Sequence, residues 1–275
     1  DWAYRQENFQ KQNWQEKINR NKERLAGAPE LLTLPEDYPR EANRYKKAGY
    51  EPVSISTRLT SGLQSIAKAE STTLFTVFLS VYGALLARIA KQDTVVIGSP
   101  VEGHTSHEMD GLVGFLVNTL VYPVSIGHAI SGRELIKATK SMVETTLVDQ
   151  DLPFEQLVEN LNVSRSLLHT PVFQAMLAFQ NKDDSAIVFG DLASERLFSA
   201  PPSAKFDLTL SIWLNEAGAL HGQFEYDANL FESHSVARWA QYLNQLIESF
   251  ILDTDQPVIT LELSDPTVKN QNLIA

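Results

Sequence analysis

The sequence predicts an α/β fold in which helices cover a sheet, and three features carry that prediction. "STTLFTVFLSVYGALLARIAKQ" (71–92) is a long helical run apolar on most sides; "TVVIGSPV" after it is a strand with no polar alternation, the pattern of a sheet strand covered on both faces. "FDLTLSIWL" (206–214) alternates, with Phe206, Leu208, Leu210, Ile212 and Leu214 on one side and Asp207, Thr209 and Ser211 on the other. Residues 232–251 put Val236, Trp239, Leu243, Leu246, Ile247 and Phe250 on a single helical stripe.

The remaining elements follow in chain order. Residues 5–26 are polar and helix-prone, with Phe9, Trp14, Ile18 and Leu25 spaced to touch a neighbour on one side, so a surface or connecting helix is expected. The stretch from Gly27 to Glu51 holds three prolines and many charges and reads as a linker or wrapping segment. "EPVSISTRL" alternates as a strand, "SGLQSIAKAE" is a short helix, and Ser and Thr cap the long helix that follows. "VNTLVYPVSI" is a further strand. Ser131 with Glu134 forms a capping box that starts a helix carrying Leu135, Met142, Val143 and Leu147 on a seam. "PFEQLVENL" opens a short helix with Pro153 at a favourable first position. "FQAMLAFQN" and "AIVFGDL" are strand candidates, and "EAG" turns the alternating strand into an antiparallel partner, "ALHGQFEYDANL". The final stretch, with two prolines and no lasting period, resembles a tether to a further domain. The expected organisation is a connecting segment over 1–50, one α/β domain over 51–252 and a linker over 253–275.

Bulk composition narrows the function classes. With 275 residues and 43% hydrophobic residues, the chain buries one large core or two smaller ones. A formal charge of −11 makes a nucleic-acid or anionic-membrane partner unexpected. The absence of cysteine excludes a disulfide framework, thiolate zinc sites and a cysteine nucleophile, and suits a reducing cytoplasm. The longest apolar stretches fall well short of the roughly 18 to 20 residues that cross a bilayer. "DWAYRQENFQ" lacks both the pattern of a signal peptide and an initiator methionine, so the chain is expected to derive from a longer one.

Few local motifs carry chemistry. No glycine-rich phosphate loop is present, and Ser99 lies in "GSPVEG", where Pro100 removes the N–H that a hydrolase elbow needs. His104 and His107, with Glu108 and Asp110 nearby, have a spacing that binds zinc on a helix, but Gly103 and Gly111 point to a loop, so no metal site is expected. His128, His169, His221 and His234 are isolated in sequence. Asp149, Asp151 and Glu155 precede or open the short helix and are expected to cap it and complement its dipole. In "GFLVNT", Gly114 permits close backbone approach, Phe115 offers an apolar wall, and Asn118 and Thr119 offer hydrogen bonds at a strand mouth.

Four segments together resemble a known family. "DWAYRQ" (1–6), "GLVGFLVNTLV" (111–121), "DQDLPFEQLVE" (149–159) and "NVSRSLLHTPVFQAML" (162–177) occur in the order and spacing of the later core motifs of nonribosomal peptide synthetase condensation domains, and "KFDLTLSIWL…GQFEYDANLF" is also typical of them. The resemblance covers residues 1 to about 252 and is to the C-terminal half of such a domain. It implies a chloramphenicol-acetyltransferase-like subdomain, a mixed sheet flanked by helices, forming one half of a V around a tunnel. It further implies peptide-bond formation between a carrier-bound aminoacyl or peptidyl donor and an aminoacyl acceptor. No cofactor is expected to bind directly; a phosphopantetheine arm arrives on each carrier protein. Implied partners are the N-terminal subdomain, donor and acceptor carrier proteins and a following adenylation domain.

The family's HHxxxDG signature lies in the other half. "HTSHEMDG" is not that motif: it has no adjacent histidine pair, and only two residues separate His107 from Asp110. It falls where the family has a loop commonly carrying an arginine, here replaced by His104. No catalytic residue is therefore assigned to this chain. The substrate-channel lining is assigned to Ser99, Gly114, Phe115, Asn118, Thr119, Gln150 and Asp151. The chain alone is expected to be inactive and to self-associate through its uncovered face, and the intact "DQDLPFE" and "SRSLLHTPVFQ" suit an L-configured donor. Two alternatives stand beside this reading: a docking module of the same fold without chemistry, and a hydrolase or transferase using His104 or His107.

Overall fold

The computed structural model describes residues 14–42, 45–102, 114, 116–127, 129–161, 166–180 and 201–263. Among these, six strands form one mixed sheet: β1 (Ala48–Ile55), β2 (Thr94–Glu102), β3 (Val117–Ser125), β4 (Ala175–Gln180), β5 (Leu208–Leu214) and β6 (Leu220–Asp227), in the order β1-β6-β5-β4-β2-β3. β4 runs parallel to both β2 and β5, while the β1–β6, β5–β6 and β2–β3 pairs are antiparallel.

Side-chain alternation divides the sheet into two unequal faces. On the first, Val53, Ile97, Tyr122, Leu177, Leu210 and Phe224 belong to one large core. That core is completed by four helices: α2 (Thr57–Ala69), α3 (Leu74–Ala90), α4 (Gly132–Leu147) and α6 (Ser233–Leu252). On the second face, Val96, Val121 and Phe173 form a smaller core with helix α1 (Trp14–Leu25) and the short helix α5 (Phe154–Asn160). β2 thus contributes to both cores, which is why its sequence is apolar without alternation.

Local chemistry accounts for three of the six helix starts. The side chains of Ser56 and Thr73 accept from Leu59 N and Thr76 N, and Ser131 and Glu134 form the expected reciprocal capping box. α3 ends where Lys91 turns left-handed at φ 54°. α6 has no side-chain cap but buries Val236, Trp239, Leu243, Leu246, Ile247 and Phe250. Six such burials, at roughly 1.5–3 kcal/mol each, outweigh a missing cap worth about 1 kcal/mol. Among the described residues no single helix is long and apolar enough to cross a membrane; α2 and α3 reach the required composition only together, across a 110° bend.

The structure revises two expectations and shows what holds the wrapping segment. On α4 the buried stripe runs through Leu135, Ile136, Thr139, Val143 and Thr146, whereas Leu147 is 38% exposed. The stretch after Leu252 is not a free tether at its start: Val258 and Leu261 are in the core, Pro257 bridges Ser131, and Arg133 pairs with Asp255 at 2.7 Å. The wrapping segment is pinned from both ends, by burial of Leu32 and Leu34 and by Arg40 and Lys46 on buried Asp207 at 2.7 and 3.0 Å. "AIVFGDL" lies outside the described residues.

Candidate functional site

The predicted channel residues fall into two places rather than one. Ser99 is buried on β2, and its hydroxyl donates to the Leu177 carbonyl at 2.8 Å. Asn118 and Thr119 stand on β3 directly opposite Val101 and Pro100. Gly114 is exposed, and a Cβ there would meet nothing within 4 Å among the described residues. Phe115 lies outside the described residues, as do His104, His107, Glu108 and Asp110.

Asn118 organises the turn between α4 and α5. Its Nδ2 donates to the carbonyls of Gln150 and Leu152 at 2.7 Å each, while its Oδ1 accepts from Thr119 N at 2.8 Å and Phe154 N at 3.1 Å. Two donor and two acceptor positions are all that an amide side chain has, so none is left for a substrate. Gln150 takes part through its backbone carbonyl.

The acidic residues of that turn do not cap α5. Its N-cap is Pro153, without a side-chain hydrogen bond, and Asp149 and Asp151 instead receive cations from α1. Asp149, 2% exposed, takes Arg24 Nη2 at 3.2 Å, Asn21 Nδ2 at 3.3 Å and Arg20 through both Nε and Nη2. Arg24 also donates to Thr146 Oγ1 at 2.7 Å, and Lys17 meets both oxygens of Asp151 at 2.5 and 2.6 Å. The physical reason is desolvation: a carboxylate this deep requires full charge compensation, which a single helix-end dipole does not supply. Burial lowers the Arg24 guanidinium against the opposing pull of Asp149, while Arg20, near the surface, is raised chiefly by its hydrogen bond to Asp149. The clasp has a signal in the sequence that is absent from the expectations above: Lys17, Arg20 and Arg24, spaced three and four apart, place three cations along one face of α1.

Beside the clasp, a cavity of about 660 Å³ opens where the carboxyl ends of the parallel strands β2 and β4 meet the start of α3 and the second half of α4. Ser99, Pro100 and Val101 form one wall, and Phe75, Tyr122 and Phe179 an aromatic one. Phe75 packs edge-on against Tyr122 and Phe179, with ring centroids 5.9 and 6.0 Å apart. Burial pushes the Tyr122 hydroxyl well above the usual tyrosine range. The described histidines, His169, His221 and His234, do not line it. A crevice at the carboxyl ends of parallel strands is where α/β sheets commonly bind ligands.

Comparison with known proteins places this architecture. The family model described as the condensation domain matches residues 1–273. Phosphinothricin tripeptide synthetase PhsB of Streptomyces viridochromogenes is 37% identical over 98% of this chain, and a dimodular nonribosomal peptide synthase of Bacillus subtilis is 35% identical over 89% of it. The chain spans only 23% and 10% of those two relatives. Among solved structures, the X-domain in complex with OxyB from teicoplanin biosynthesis superposes with a TM-score of 0.86 at 19% identity, covering 96% of this chain and 59% of that one. The condensation domain from the Monacolin K polyketide synthase MokA gives 0.78 at 16% identity, covering 94% and 62%. A family match over nearly the whole length, on a fold shared with these structures, shows that the chain belongs to the condensation-domain family of nonribosomal peptide synthetases.

Proposed function

We propose that the chain is the C-terminal, acceptor-side subdomain of a peptide-bond-forming condensation domain, one half of a chloramphenicol-acetyltransferase-like V. The observation that carries this is coverage: 94% of the chain superposes on 62% of the MokA condensation-domain chain, while the sequence contains no adjacent histidine pair for HHxxxDG. In the reaction, the amine of a carrier-bound aminoacyl group attacks the thioester carbonyl of the donor; a C–N bond forms, the C–S bond breaks, and the nitrogen's proton is passed on as the pantetheine thiol leaves. The task is chiefly to hold the two arms within attacking distance and manage that proton. The histidine belongs to the companion subdomain, and this half supplies tunnel wall and carrier docking. In this reading the phosphopantetheine arms come from the donor and acceptor carrier proteins, an adenylation domain follows, and the assembly works in the cytoplasm.

The clasp supports a positioning role. It ties the α4–α5 turn, the "DQDLPFE" segment, to α1, while Asn118 holds the same turn against β3. Reconstitution tests the proposal: the chain is combined with an HHxxxDG-bearing N-terminal subdomain and two aminoacylated carrier proteins, and dipeptide is measured by mass spectrometry. Product is expected only with both halves; product at enzymatic rates from this chain alone defeats the reading. A second reading, docking without chemistry, is favoured by the fold's occurrence in the X-domain–OxyB complex. It predicts carrier binding and no dipeptide even when the halves associate.

A further inference from the structure

The cavity beside Ser99 has the composition of a side-chain pocket, and its chemistry defines what fits. Its inner walls are apolar: Phe75, Tyr122 and Phe179 present ring edges and faces, with Val143 and Leu147 opposite them on α4. Its rim is polar but uncharged on one side, where Ser71, Thr72 and Thr73 line the turn between α2 and α3. On the other side Lys140 and Glu144 stand one helical turn apart with opposite signs, so the rim has no net charge to attract an ion. The Ser99 hydroxyl is already donated to Leu177 O, which leaves it an acceptor and not a nucleophile. At about 660 Å³ the space exceeds one aromatic side chain with its flanking amide groups and lies in the range of small-ligand sites, roughly 300–1,000 Å³.

We propose that this cavity takes the aromatic or branched apolar side chain of a neutral acylated amino-acid unit, with the unit's amide groups at the hydroxyl-lined rim. The inference rests on the condensation reading for its physiological source, a carrier-bound aminoacyl or peptidyl group, and on the cavity alone for its chemistry. Selectivity comes from apolar burial: the side chain leaves water for the aromatic wall, and a glycine unit gains nothing there.

The test uses the full chain and two neutral probes, N-acetylphenylalaninamide and N-acetylglycinamide, with binding followed by calorimetry and by NMR. The phenylalanine probe is expected to bind at least about tenfold more tightly than the glycine probe. Leu147→Trp, which fills the cavity from a half-exposed position on α4, is expected to abolish that preference, and Val101→Phe to do so from the opposite wall. Val148→Trp, beside the cavity but not lining it, is expected to retain it. Equal affinity for the two probes overturns the proposal, as does an unchanged preference in a filled variant that melts like the parent. Binding is read without any peptide-bond formation, so the two proposals fail separately. If the reconstituted halves make no dipeptide while the chain still discriminates the probes, the reaction is refuted and the pocket stands; dipeptide without discrimination refutes the pocket and leaves the reaction standing.

Discussion

Asn118 holds Leu152 by its carbonyl at 2.7 Å across 34 residues of sequence, and the same side chain holds Gln150 and Phe154 on either side. A strand residue on β3 thereby sets the path of the chain between α4 and α5. Within the turn the N–H groups of Asp149, Gln150 and Leu152 find backbone carbonyls, and the Gln150 and Leu152 carbonyls and the Phe154 N–H take this amide as partner.

Asn118→Asp removes both donors and sets a carboxylate oxygen against two carbonyls. The loss expected is about 3 kcal/mol, from two unsatisfied backbone acceptors and a repelled charge. Urea denaturation measures it, and a midpoint within error of the parent refutes the clamp.

Asp149→Ala leaves Arg24, whose side chain is only 12% exposed, without its carboxylate and is expected to destabilise the fold by about 3 kcal/mol. Arg20→Ala removes a partner that is 38% exposed and leaves Asp149 with Arg24 and Asn21, so it is expected to cost under about 1 kcal/mol. Equal effects of the two substitutions contradict a clasp centred on burial.

The α4 capping box makes stability depend on pH in a defined direction. The Glu134 carboxyl lies below its ordinary value of 4.5 because the Ser131 N–H, and then its hydroxyl, donate to the ionised form. A lowered folded-state pKa stabilises above the unfolded value and is lost as pH falls through the folded one. Glu134→Gln is therefore expected to melt below the parent at pH 7 and to converge with it as pH drops from 4.5 through the folded-state value. Parallel melting curves across that range exclude the linkage.

Ending the chain at Asp253 removes Val258 and Leu261, which are 0% and 3% exposed, together with Thr254 and Asp255, two of the three partners of Arg133, the third being Glu70. A loss of about 3 kcal/mol or more follows from the two apolar burials. Thermal melting decides, and an unchanged midpoint returns residues 253–263 to the status of a linker.

Much of the fold was legible because the signals were local. The β5 alternation, the α6 stripe and the Ser131–Glu134 box each occupy one contiguous stretch whose period or spacing declares its structure. The site was less legible. Ser99, Asn118 and Thr119 were picked out, yet the hydrogen-bonding of Asn118 is directed at backbone 32 to 36 residues away. Gly114 has no neighbour that requires it among the described residues.

By itself the sequence determined most of the described helices and strands, the apolar faces of β5 and α6, and, through four motifs in register, the family to which the chain belongs. Only the tertiary structure decided that Asp149 and Asp151 answer the cations of α1 rather than cap α5, that Val258 and Leu261 finish the core, and that Phe75, Tyr122 and Phe179 enclose a cavity beside Ser99. Periodicity records which residues leave water, whereas the partner of a buried charge and the shape of an enclosed space depend on residues brought together from distant parts of the chain.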